Sequence, residues 1–152
     1  MRNVSTFARL LTVWITAGML LLGMAGLAAP PANMKLQAHL VWGTNEHDPA
    51  HKPVEPELKK KLNGLPLKWA NYYEVSRHEF EVPAGGMKKV SISKQCSIEV
   101  KDLGHSRIEV SHFGKGEHVL KRTQTLPRGE TFVLGGNAPN ATSWFVILKR
   151  AE

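Results

Sequence analysis

From residue 36 onward, apolar and polar positions alternate in short runs, and turn residues separate the runs. Residues 36–43 place Leu36, Ala38, Leu40 and Trp42 on one face, the period-two pattern of a half-buried strand. Residues 44–56 turn polar and hold Pro49, Pro53 and Pro56, so they are expected to be a loop, since proline cannot join the interior of a ladder. Residues 56–62 read as one short helix. Pro56 suits its first turn, Glu57 and Lys59 to Lys61 match the helix dipole, and Leu58 and Leu62 lie four apart on one face. Asn63-Gly64 is expected to end it.

The remainder predicts strands. Residues 69–75 are rich in aromatics, and Phe80 and Val82 alternate with Glu79 and Glu81 ahead of a Pro83-Ala84-Gly85-Gly86 turn. Further runs cover residues 88–94, 96–101, 107–112, 117–126 and 130–134, with glycine or proline turns between several of them. Residues 143–149 differ. Trp144, Val146 and Leu148 fill one face and Phe145 and Ile147 the other, so this strand is expected inside the fold. The expected fold is mainly β, a small antiparallel β-sandwich or barrel-like domain with one short helix.

Ahead of that domain, Arg2 and Arg9 precede a charge-free stretch from Leu10 to Leu27, followed by Gly26, Ala28 and Ala29. A basic start, an apolar run and small residues at a cleavage point form an export signal, with the cut placed after Ala28. The expected organisation is a signal peptide at residues 1–28, a Pro-rich tether at 29–35 and a single β-rich domain at 36–150. The mature chain would be periplasmic or secreted, with no stable membrane span once the leader is removed. It would keep about 120 residues, enough for one core without a staple.

The formal charge of +7 falls to roughly +5 without Arg2 and Arg9. Lys59-Lys60-Lys61 is the only tight basic run, so a nucleic-acid partner is not expected. An envelope or extracellular protein, or a glycan, is the expected partner class. Cys96 is the only cysteine, which excludes an internal disulfide. It shares parity with Ile98 and Val100 and is expected to be buried in the core as an inert thiol.

Catalytic patterns are weak. Ser91-Ile92-Ser93-Lys94 fits S-x-x-K, but the motif works by bringing Lys round one helical turn, and these residues lie in a predicted strand. The densest ligand cluster is Glu46, His47, Asp48 and His51, whose side chains suit zinc. Pro49 interrupts the spacing that would converge the two histidines, so no metal and no other cofactor is expected, and His47, Asp48 and His51 remain the candidates if one binds. No catalytic residue is assigned. The leading expectation is an exported, non-enzymatic β-domain with a binding or structural role, contacting its partner through Trp42, Trp69, Tyr72 and Tyr73. The alternatives are a small metal-dependent hydrolase built on the Glu46 to His51 loop, and a carbohydrate-binding module.

Overall fold

The structure, a computed structural model, describes residues 30–137 and 142–152. The chain divides into two units, Met1–Pro30 and Pro31–Glu152, and every element below belongs to the second. The predicted leader lies outside the described residues. Among the described residues, no helix is long and apolar enough to cross a membrane.

Among the described residues, eight strands and one helix follow in order: β1 Met34–Thr44, α1 Pro56–Asn63, β2 Asn71–Val82, β3 Met87–Ser91, β4 Cys96–Asp102, β5 Arg107–Gly114, β6 Glu117–Thr125, β7 Thr131–Asn137 and β8 Ser143–Arg150. They form two four-stranded antiparallel sheets. One has the order β2-β1-β8-β7 and the other β3-β4-β5-β6. The arrangement is a sandwich. The barrel-like alternative is not met, because the ladders stop at β2, β7, β3 and β6 instead of joining the sheets.

The first core lies between the sheets. Leu36, Ala38 and Leu40 from β1, Val146 and Leu148 from β8 and Leu134 from β7 meet Ile98 and Val100 from β4 and Ile108 and Val110 from β5. The opposite face of the first sheet carries a second core. There Val41, Tyr72, Phe145 and Ile147 are covered by Leu62 of α1, by Val54, and by Leu67 and Trp69 of the segment that follows the helix. The helix forms as expected, with Pro56 in its first turn and Leu62 fully buried. Gly64 closes it by donating to the Lys60 and Lys61 carbonyls.

Several boundaries differ from the pattern-based expectation. β1 starts at Met34, so the tether gives up its last two residues to the sheet, and Met34 is buried. The aromatic run 69–75 and the Phe80/Val82 run are one strand, β2. A bulge hides its continuity. Leu40 pairs with Ser76 and Val41 with Glu74, leaving Val75 unopposed. The predicted loop 44–56 also does more than connect. Val54 N–H donates to the Tyr72 carbonyl and Glu74 N–H to the Lys52 carbonyl, so this segment guards part of the β2 edge. Pro53 sits in a lone bridge to Tyr73, an edge position where its missing donor costs little. Between β5 and β6, Lys115 and Gly116 both have positive φ, 51° and 85°, as a tight primed hairpin turn requires.

Gly43 is the tightest point in the second core. A Cβ there would lie 2.8 Å from a Phe145 ring atom and 2.9 Å from a Trp69 ring atom, both on bulky rings packed in that core. Gly43→Ala is therefore expected to destabilise the domain by about 1–3 kcal/mol through overpacking. Urea unfolding of the two proteins checks this. An unchanged midpoint would show that the rings move aside.

Candidate functional site

The sheet register builds an aromatic row. Trp42 on β1 pairs with Tyr73 on β2 and Trp144 on β8, and Trp144 pairs with Gly136 on β7. These positions continue the inner-facing series Ala38, Leu40 and Leu148, Val146 one step past the core. The Trp42 and Trp144 rings stack, with centroids 6.4 Å apart and planes 26° apart. Tyr73 lies 5.8 Å from Trp42, and His51 meets Trp42 edge-on at 5.4 Å. Exposure falls across the row. Trp144 is 44% exposed, Trp42 is intermediate and Tyr73 is 3% exposed.

The expected binding surface is thus only partly assembled. Trp42 and Tyr73 come together, but Tyr72 and Trp69 do not join them. Tyr72 is 3% exposed and sits in the second core on the opposite face of the sheet, and Trp69 packs against the same core. The Tyr72 ring is buried and cannot serve as a contact surface, while Trp69 is partly exposed but on the other face of the sheet. The exposed ring of this row is Trp144. Its alternation with Val146 and Leu148 was legible, but the pattern does not reveal that the covering sheet ends one row earlier.

The loop after β1 supplies the polar rim. Asp48 Oδ1 accepts from Ala50 N–H at 2.8 Å, and Asp48 Oδ2 faces His51 Nδ1 at 2.8 Å. The hydrogen bond from Ala50 and then that from His51 hold the Asp48 carboxyl below its usual range. Asp48 N–H donates to the Tyr73 hydroxyl at 2.8 Å, which fastens the loop to the aromatic row. Asp48 and His51 therefore meet as hydrogen-bond partners within a turn. His47 does not complete a ligand set with them. Among the described residues, no three His, Cys, Asp or Glu side chains gather as a metal site.

A second feature lies on the outer face of the same sheet. A cleft of about 670 Å³ runs beside α1, lined by Gln37, His39, Leu58, Lys61, Ile147 and Lys149 among others. Its volume suits a small molecule. Its chemistry is committed internally. His39 is 2% exposed, with Nδ1 2.8 Å from Glu74 Oε2 and Nε2 2.9 Å from Gln37 Oε1. The Gln37 amide nitrogen donates to Glu79 Oε1 at 2.8 Å. Arg77 donates to Glu74 and also to Glu55. Both ring nitrogens of His39 are engaged within the sheet. Burial pushes the Glu74 carboxyl up, but hydrogen bonds from His39 and Arg77 outweigh it and hold the group below its usual 4.5.

Cys96 lies on the Ile98 and Val100 face as expected, but it is only half-buried rather than buried, because β4 begins there and the residue sits at the margin of the first core. Its Sγ lies 3.2 Å from His112 Nε2, a contact that parity alone does not announce. Burial raises the Cys96 thiol above its usual 9.0 and lowers His112 below its usual 6.5. Both shifts favour the neutral forms, so the pair is a thiol beside an imidazole and lacks the thiolate of an activated nucleophile. Ser91 ends β3 and donates to the Ser93 carbonyl at 3.1 Å, and Lys94 follows in a turn, so S-x-x-K has no helical setting.

No protein-family model, curated protein or solved structure matches this chain.

Two outcomes follow from these geometries. A carboxylate with a folded-state pKa below its unfolded value contributes stability above the unfolded value, and that stability is lost as pH falls through the folded value. Glu74 and Glu55 both lie on that side, so melting temperature is expected to drop as pH falls below about 4.5. Glu74→Gln is expected to cost about 3 kcal/mol at pH 7, removing the carboxylate that His39 faces and leaving Arg77 with Glu55 alone, and to flatten the acid slope. Thermal melts of both proteins across the acid range measure each effect. The Cys96 thiol is expected to label slowly in the native state at neutral pH and rapidly in denaturant. Fast native labelling would contradict a half-buried, neutral thiol.

Proposed function

We propose that this protein is an exported, non-enzymatic binding module of the cell envelope or extracellular space, and that the Trp42–Trp144 ledge is its contact surface. The observation that carries this reading is Trp144, a large ring 44% exposed yet held in a stack on Trp42. An exposed aromatic whose orientation is already fixed loses little entropy on binding. The leader pattern at residues 1–28 supports export. The occupied nitrogens of His39, the neutral thiol of Cys96 and the internal pairing of Asp48 with His51 weigh against a hydrolytic centre. The partner is an envelope or extracellular protein or a glycan.

Sedimentation with envelope isolated from the producing cells tests this. Trp144→Ala is expected to weaken association by about 2 kcal/mol, the scale of a contact hot spot. Its melting temperature is expected to stay within a few degrees of wild type, because the ring stands outside the core. Equal binding by the two proteins would remove the ledge from the reading. Intact mass of the recovered chain tests export, with a start at Ala29 expected and a retained leader counting against it.

A further inference from the structure

A strand at the edge of a sheet offers its unpaired backbone groups to any other chain, and proteins blunt such edges with charge, proline, bulges or cover. Among the described residues the two sheets end in β2, β7, β3 and β6, and three of these edges are blunted. β2 has the 52–54 segment along part of its length, a bulge at Val75, and Arg77, Glu79 and Glu81 along the rest. β3 is five residues long and carries Lys88 and Lys89. β6 carries Glu117, Lys121 and Arg122. β7 has none of these devices. Its seven residues, Thr131–Asn137, include no charge and no proline, and they pair with β8 without a register shift. Among the described residues, no backbone group outside β8 pairs with it.

The same strand holds a glycine that a single copy of the chain does not explain. Gly135 lies on Phe145, where a Cβ would come 3.1 Å from the ring. Gly136 has no such neighbour. A Cβ there would meet only the Trp144 carbonyl oxygen, at 3.9 Å, and the residue does not have a positive φ. Glycine inside a strand weakens it, and it often marks a place where another group approaches closely. A second copy supplies that group. In an antiparallel pair, opposite residues turn their backbone groups both toward the shared gap or both away from it. A two-fold axis therefore sets one residue of β7 opposite its own copy. Pairing the whole strand makes that residue Leu134. Gly135 then faces Val133 of the second copy, and Gly136 faces Phe132 of the second copy. Phe132 and Val133 pack on the first and second cores but keep part of their surface exposed. In this register each lies beside a glycine that leaves it room, and an aromatic ring across from a glycine steadies such an edge.

We infer that β7 is a self-association edge, at which two copies of this chain pair antiparallel about a two-fold axis at Leu134 and join their first sheets into one. Charge also favours a second copy at this edge. Chains of formal charge +7 repel one another, and β7 is the one edge of the four whose strand holds no charged residue. A single strand pair buries less than the roughly 800 Å² per partner of a standard interface, so the association is weak, with a dissociation constant of about 10–100 µM. The pairing does not depend on the Trp144 ledge being the contact surface.

Sedimentation velocity of the chain as recovered from its producing cells, over about 5–500 µM, tests the pairing. A monomer–dimer equilibrium is expected with no larger species, because a two-fold contact uses up the edge. Gly136→Lys is expected to weaken the dimer about tenfold or more by setting a lysine opposite Phe132. Its melting temperature is expected to stay within a few degrees of wild type, since the position is open within one copy. Val119→Lys, on the exposed β6 edge, is expected to leave the dimer unchanged. Hydrogen exchange of the unaltered protein at low and high concentration reads the same contact without a variant. Amides of β7 are expected to gain protection as concentration rises, and those of β6 are not. Sedimentation as a monomer throughout the range overturns the inference. So does a dimer that Gly136→Lys leaves intact, or one whose added protection falls on another strand.

Discussion

Strand β8 must be apolar on both faces at once, and the rest of the domain is arranged around that requirement. Along β8, Val146 and Leu148 enter the core between the sheets, while Phe145 and Ile147 enter the core on the other side. Leu40 and Val41 divide β1 in the same way. A sheet this apolar cannot leave either face wet. The second sheet covers one face. The helix and the segments around it cover the other, with Leu62 as the fully buried anchor. Register is strongly specified as a result, because shifting either strand by one residue would exchange its two sets of side chains.

One unpaired residue on β2 organises the aromatic end of the sheet. With Val75 bulged out, Glu74 and Arg77 fall on the same face, where both reach the surroundings of His39. Without the bulge, strict alternation would send Glu74 toward the inner face and Tyr73 toward the outer one. The same residue therefore buries a carboxylate beside its cations and returns Tyr73 to the row with Trp42. The two consequences lie on opposite faces of one sheet. The ion network stabilises the register that the aromatic row requires, since the alternative register would leave Glu74 in an apolar core without a partner.

This explains which parts of the fold were legible in the chain. The short alternating runs, the proline-led helix and the double-sided last strand are all local patterns, and they stand close to their predicted limits. The long β2 strand was split in two because its period breaks at Val75, and a broken period looks like a strand end. Tyr72 and Tyr73 are adjacent and similar in sequence, so nothing local tells which face each takes after a bulge. His39 lies between Ala38 and Leu40, where an outward polar residue is ordinary. Its burial comes from Glu74, thirty-five positions away, and from the helix side of the sheet. Cys96 was placed on the correct face by parity, but its contact with His112 depends on the β4–β5 pairing.

The aromatic row marks where the sandwich ends. Leu40, Leu134 and Val146 are the last inner-facing residues of their strands to sit within the shared core. The next residues inward-facing on β1 and β8 are Trp42 and Trp144, and on β7 the position is glycine. Leucine or valine there would leave apolar surface in water with nothing to hold it still. Two stacked indoles behave differently, since each covers part of the other and the buried Tyr73 fixes the inner one. The exposed face of Trp144 then remains unpaired in a fixed orientation. Leaving such a face uncovered forgoes roughly 25 cal/mol for each Å² of apolar area that burial would have removed from water. That forgone burial makes the row a weak point of the sandwich.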